Sequence, residues 1–302
     1  MCGRCVIMRD GGAIRRRCAH YPYKSSCTAD TASDSSHCLP RWYQEGESSY
    51  QPSYNVCPRD NLPVLLSSDH PHACDGEGPE DRILQMMQWG LVPSWHKGAA
   101  KDFAYLLNNC RSESLFDKAS FRNAFTRGHR CVVPVDGFYE WKLIAGKKYP
   151  QYIQSVDNDS MLMLAGIFDI HRQTPDSNPL YTVTLITTEA HPVFSEVHHR
   201  MPAVLQGAQQ VADWLDFRRV TDKQAYSIII PTTGLTWYAV GNSVNNVYYK
   251  GEDCVLPRKA EPVKEKSKGI TLDTFFKKTP VKRKLEDSRT LKRVKDESKN
   301  ES

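Results

Sequence analysis

The apolar residues of this 302-residue chain fall in short runs, and that spacing limits the fold more than any other feature. Val64-Leu65-Leu66 and residues 83–89, 130–141, 161–170, 181–186, 226–230 and 236–240 are of strand length, several of them rich in β-branched side chains. Pro58 and Pro63 precede the first run, a proline- and glycine-rich loop over 69–81 follows it, and Gly90-Leu91-Val92-Pro93 closes the second. Fewer segments read as helices. These are a short one near 39–43, then 114–124, 187–197 with Thr188 as cap and Pro192 in its first turn, and 206–215 with apolar Val211, Trp214 and Leu215. Many strands with scattered helices predict an α+β fold with one core. No run of 18 apolar residues is present, so no membrane span is expected.

Charge divides the chain. Residues 255–302 carry 15 Lys+Arg against 8 Asp+Glu, a net of +7, which leaves 25 against 27 for residues 1–254. Apolar residues thin out over the same stretch, as in a disordered tail. The spacing predicts one domain over 1–254, with an irregular, Ser-rich insertion at 18–53, and a basic tail over 255–302. Arg15-Arg16-Arg17 interrupts any secretory leader, so the ten cysteines are expected reduced. Cys2 and Cys5 form a C-x-x-C with no second pair to complete a metal site, and neither a metal nor a cofactor is expected.

The chemistry points to the start of the chain, Met1-Cys2-Gly3-Arg4-Cys5. Initiator methionine is normally removed before a small residue, and removal would leave Cys2 with a free α-amine beside its thiol. An α-amine titrates at about 7.7–8.0, so part of it is a neutral nucleophile near pH 7. It condenses with an aldehyde to an imine, and the thiol then closes on the imine carbon to give a thiazolidine. No internal cysteine can do this.

Further islands carry polar groups among aromatics. They are Trp89-Gly90-Leu91-Val92-Pro93-Ser94-Trp95, Asn109-Cys110-Arg111-Ser112-Glu113, Val135-Asp136-Gly137-Phe138-Tyr139-Glu140-Trp141 and His198-His199-Arg200-Met201-Pro202. Singly, each has an ordinary explanation: a surface carboxylate, a helix-end histidine pair, core aromatics. Together with M-C-G-R they resemble the SRAP (SOS response-associated peptidase) family over about residues 1–250. The resemblance implies a single domain with a curved, mainly antiparallel β-sheet core and a basic groove for single-stranded DNA. It also implies a covalent thiazolidine between Cys2 and the opened sugar of an abasic site.

Site roles follow from the matched positions. His198 resembles the family's catalytic histidine, and an imidazole with an unperturbed pKa of about 6.5 suits opening of the closed sugar. Glu140 resembles the carboxylate beside the terminal amine, and Asn109 the asparagine that hydrogen-bonds the sugar. Arg4 and Arg111 resemble phosphate-binding arginines, with Arg200 a weaker candidate for the same work. Trp89 and Pro58 resemble an apolar wedge that stacks on bases; Cys57 stands where a small residue is expected. In the tail, Leu272, Phe275 and Phe276 resemble a sliding-clamp (PCNA) binding box over 269–276, with Gly269 at its Gln position. Lys282-Arg283-Lys284 suits nuclear import. The expected protein is a monomer at nuclear replication forks that senses and shields abasic sites. The alternatives are a cysteine-type (auto)peptidase, with Cys2, Glu140 and His198 as nucleophile and base, and a non-covalent reader of 5-hydroxymethylcytosine.

Overall fold

The structure, a computed structural model, describes residues 2–19, 39–70 and 82–258. Along these the chain forms β1 (Cys5–Ile7), α1 (Gly11–Ala19), β2 (Arg41–Trp42), α2 (Gly46–Ser49), β3 (Ser53–Val56), β4 (Asn61–Ser67) and β5 (Arg82–Trp89). It continues with β6 (Asn109–Arg111), α3 (Ala119–Thr126), β7 (Arg130–Val135), β8 (Gly137–Ile144), β9 (Lys147–Ser155), β10 (Leu162–His171) and β11 (Leu180–Glu189). Last come β12 (Arg200–Pro202), β13 (Val204–Leu205), α4 (Gly207–Leu215), α5 (Asp222–Ile228) and β14 (Leu235–Ala239).

The apolar runs become a sheet that closes on itself. β4 pairs antiparallel with β5, and β5 lies parallel to β11 with Gln88 opposite Thr182. β11 pairs with β10, β10 with β7, and β7 returns to β4 through Val132 opposite Leu65. Five strands therefore form a ring, which gives the curvature and removes most open edges. β7 is buried along its whole length, as its near-continuous Val-rich run requires. α4 docks on it through Trp214, fully buried, whose indole N–H donates to the Cys131 carbonyl at 2.8 Å.

A second, antiparallel sheet has the order β14-β9-β8-β1-β3. The chain passes from one sheet to the other at Asp136-Gly137, between β7 and β8. Asp136 accepts from the Met8 N–H and from Arg9 Nε, each at 2.7 Å, and so ties the crossing to the strand that follows Cys2. Gly137 is required here. A Cβ would sit 2.5 Å from the Ile153 carbonyl oxygen and from the Tyr152 ring. Val6, Tyr139, Tyr152, Val240, Val244 and Cys254 form a small second core on this sheet.

Several local expectations need correction, the first being the helix near 39–43, where Arg41 and Trp42 instead pair with β5 as β2 and the helical turn comes later as α2. No helix is expected before residue 39, yet the chain forms α1. Asp10 caps it by accepting from the Ala13 N–H at 2.7 Å, Ile14 and Cys18 form its buried face, and Arg16 and Arg17 suit its C-terminal dipole. The helix expected over 187–197 does not form, because β11 runs on to Glu189 by pairing with Arg200–Pro202; only a 3-10 turn, Phe194–Glu196, remains. Residues 226–230, expected as a strand, lie largely in α5, which a Thr221/Gln224 capping box starts. β9 was not expected at all. The folded segment also extends past residue 254, since Pro257 bridges Val240 and the Arg258 N–H donates to Ala239.

Candidate active site

The first residues of most chains fray. Here the segment before β1 is tied down: the Tyr139 N–H donates to the Arg4 carbonyl at 3.0 Å, continuing the β1–β8 ladder beyond Cys5 opposite Phe138. Cys2 is 1% exposed. Side chains two apart on a strand share a face, so Glu140 follows Phe138 on the face where Cys5 packs, beside the Cys2–Arg4 segment. Glu140 is itself 3% exposed.

Two more elements reach this spot from the other sheet. Asn109, on β6 alongside Leu185 of β11, donates from Nδ2 to the Cys2 carbonyl at 2.6 Å. His198 lies in the turn by which the chain leaves β11 and returns as β12. Its Nδ1 accepts from the Arg200 N–H at 3.0 Å and stands 3.9 Å from Glu140 Oε1. The ladder and these two contacts bring Cys2, Asn109, Glu140 and His198 together from four stretches far apart in sequence.

What fixes the histidine turn is Arg200. Its guanidinium donates to both carboxylate oxygens of Glu113, at 2.6 and 3.0 Å, and to the Thr187 carbonyl at 2.6 Å. This bidentate pair holds the Glu113 carboxyl below the usual carboxylate range. Arg200 is 6% exposed and already committed, which argues against its expected part as a phosphate ligand. It joins the His198 segment to the Asn109-x-Arg111-x-Glu113 segment. Glu113 is thus a supporting residue of the site, and its only sequence signal is its place in the Asn109-x-Arg111-x-Glu113 motif.

The cysteine beneath the site is inert. Burial pushes the Cys5 thiol well up, and its hydrogen bond with Cys2 adds to the rise. Cys5 therefore stays protonated and does not compete as a nucleophile.

Among the buried polar atoms with no hydrogen-bond partner within the described protein, two belong to Arg4 and Asn109: Arg4 Nε and Asn109 Oδ1. The first is a donor suited to a phosphate and the second an acceptor suited to a hydroxyl. Arg111 is exposed and Pro58 partly so. Trp89 is not a surface wedge. It is fully buried, its indole N–H donates to the Asn108 carbonyl at 2.9 Å, and its backbone pairs with Arg59 and Asp60. It thereby fixes both the Pro58 turn and the approach to Asn109. The exposed tryptophan of that motif is Trp95, 50% accessible and edge-on to Phe103 at 6.2 Å. Leu272, Phe275 and Phe276 lie outside the described residues.

Known proteins resemble this chain in sequence and in fold. The family model for SOS response associated peptidase (SRAP) matches residues 1–247. A protein of Gallus gallus, the abasic site processing protein HMCES, is 35% identical over 275 residues, covering 85% of this chain and 78% of its own. The abasic site processing protein YoqW of Bacillus subtilis is 32% identical over 211 residues, covering 69% and 86%. In structure, the chain superposes on a crystal structure of a Bacteroides thetaiotaomicron protein with a TM-score of 0.66 and 20% identity, covering 85% of this chain and all of that one. With the motifs on one site and the ring of strands beneath them, the chain belongs to the SRAP family.

Proposed function

We propose that this protein captures abasic sites in single-stranded DNA through Cys2, once Met1 has been removed. The observation that carries the reading is the burial of the chain's first residues between a carboxylate, an imidazole and an asparagine. The relatives named above as abasic site processing proteins support the substrate. In the proposed reaction His198 transfers the proton that opens the sugar hemiacetal to the free aldehyde. The Cys2 amine adds to that aldehyde and expels one water to give an imine, with Glu140 accepting and returning the amine proton. The thiol then adds to the imine carbon, its proton passing to the imine nitrogen, and closes the five-membered ring. Asn109 holds the Cys2 carbonyl so that amine and thiol face the sugar. Arg4 and Arg111 bind the flanking phosphates, while Pro58 and Trp95 pack against bases. Site and shield at nuclear replication forks, and a clamp-binding contact through Phe275 and Phe276, belong to the same proposal. A chain with two residues inserted between Met1 and Cys2 tests it. Adduct formation should fall to background while binding of intact single strands stays within twofold. An adduct forming at the wild-type rate on a chain whose intact mass still includes the inserted residues would refute capture by the terminal aminothiol.

A further inference from the structure

Asn55 of β3, fully buried, directs its side-chain amide into one surface loop. Nδ2 donates to the carbonyl oxygens of Val244 at 3.3 Å, Asn246 at 3.0 Å and Tyr249 at 2.9 Å. Lys250 Nζ binds the Asn55 carbonyl at 2.6 Å and Asp60 Oδ2 at 2.5 Å. Cys57 Sγ lies 3.5 Å from the Val247 carbonyl, and the Tyr248 N–H donates to Asn246 Oδ1 at 3.1 Å. The loop is therefore fastened to β3 and to the turn that carries Pro58. At its other end Asn245 Oδ1 accepts from the Trp141 indole at 2.8 Å, and Trp141 directly follows Glu140.

This braced loop presents three successive apolar side chains to solvent. Val247 is 39% exposed, Tyr248 90% and Tyr249 42%. One exposed aromatic needs no explanation. An aromatic held by at least five side-chain hydrogen bonds to its loop, beside both the Pro58 turn and the Glu140 strand, does. Such bracing removes the ordering cost that a flexible loop incurs when it binds.

We propose that Tyr248 is a stacking platform for a nucleobase of the strand flanking the abasic site, on the Pro58 side. The proposal rests on the single-strand reading above. A nucleobase offers the flat, sequence-independent face that a lone tyrosine can cover. Charge agrees with that occupant. Arg59, exposed next to Pro58, has a φ of +79°, and its backbone N–H donates to the Trp89 carbonyl at 2.7 Å. That turn sets a cation where the phosphates of a strand running past Pro58 would lie.

The test uses the full chain and single strands containing a tetrahydrofuran lesion analogue, which cannot open and so reports binding alone. 2-Aminopurine is placed at successive positions on each side of the analogue. In the wild type, stacking should quench its fluorescence at one offset. Tyr248→Ala should restore the fluorescence there and weaken binding about tenfold, or ~1.4 kcal/mol. Tyr248→Phe should keep both quenching and affinity. Unchanged quenching and affinity in Tyr248→Ala would overturn the platform alone, with binding by the rest of the rim intact. Failure of the wild type to bind the strand would overturn the single-strand reading and the platform with it.

Discussion

The wall around Cys2 and the rim outside it are held in opposite ways. Cys2, Glu140 and Asn109 sit on strands or their extensions, and ladder hydrogen bonds set their places. His198 is held by a buried arginine fork. The rim residues Pro58, Arg59, Trp95 and Tyr248 sit on turns and loops, fixed by side chains that reach for backbone groups. Chemistry that depends on distances of a few tenths of an ångström lies on the rigid element, and contact with a long, variable strand lies on loops. Wall substitutions should therefore cost reaction rate or fold, and rim substitutions should cost DNA affinity.

The largest effect expected is on rate. Glu140→Gln and His198→Ala should each slow capture by about 10²–10⁴-fold, the usual worth of a positioned proton-transfer group. Affinity for a strand with the tetrahydrofuran analogue should not change. Single-turnover adduct formation and fluorescence anisotropy measure the two quantities, and parallel loss of both would erase the distinction between wall and rim.

The two tryptophans of one motif sharpen it next. Trp89→Ala removes a fully buried indole and should cost about 3–5 kcal/mol in urea unfolding. Trp95→Ala should stay within about 0.5 kcal/mol of wild type in the same measurement while weakening single-strand binding about tenfold.

The smallest effect is on acid stability of the rim loop. Burial alone would raise the Asp169 carboxyl, but the hydrogen bond from His129 and the N–H groups of Ser94 and Ile170 outweigh it and hold the carboxyl below its ordinary value. A carboxylate lowered on folding stabilises above its unfolded pKa of about 3.9, and that contribution is lost as pH falls through the folded value. Asp169→Asn should therefore be less stable than wild type at pH 7. The gap should narrow below about pH 4, as chemical denaturation at each pH will report.

The same division governs what the sequence disclosed. Strands 83–89, 161–170 and 181–186, and the stretch 130–141 that the structure divides into β7 and β8, were legible because burial on a pleated surface selects apolar runs, Leu- and Met-rich in 83–89 and 161–170 and β-branched in 130–135 and 181–186. β9 was not, because Lys147, Lys148, Pro150 and two Gln side chains break its alternation. Its place follows from a two-residue turn, Ala145-Gly146, with φ of 47° and 78° at the hairpin tip. α1 and α5 carried cap signals, at Asp10 and at Thr221-x-x-Gln224, weaker than the glycines and β-branched residues nearby. At the site, residue chemistry alone pointed to Cys2, whereas Glu140, Asn109 and His198 were singled out by the resemblance of their motifs to the SRAP family. Neither could separate Trp89 from Trp95, or tell that Arg200 faces Glu113. Those differences depend on which side of a strand or turn a side chain takes, and only the assembled sheets fix that.

The central claim is most directly tested by the intact mass of the protein after incubation with an abasic single-stranded oligonucleotide, without reductant. The account predicts one adduct whose mass is that of the chain lacking Met1 plus the oligonucleotide minus one water, stable to heat and denaturant. Cys2→Ala should give no such species without borohydride. A stable adduct of the same mass relation formed by Cys2→Ala, or one mapped by fragmentation to any residue other than Cys2, would contradict it.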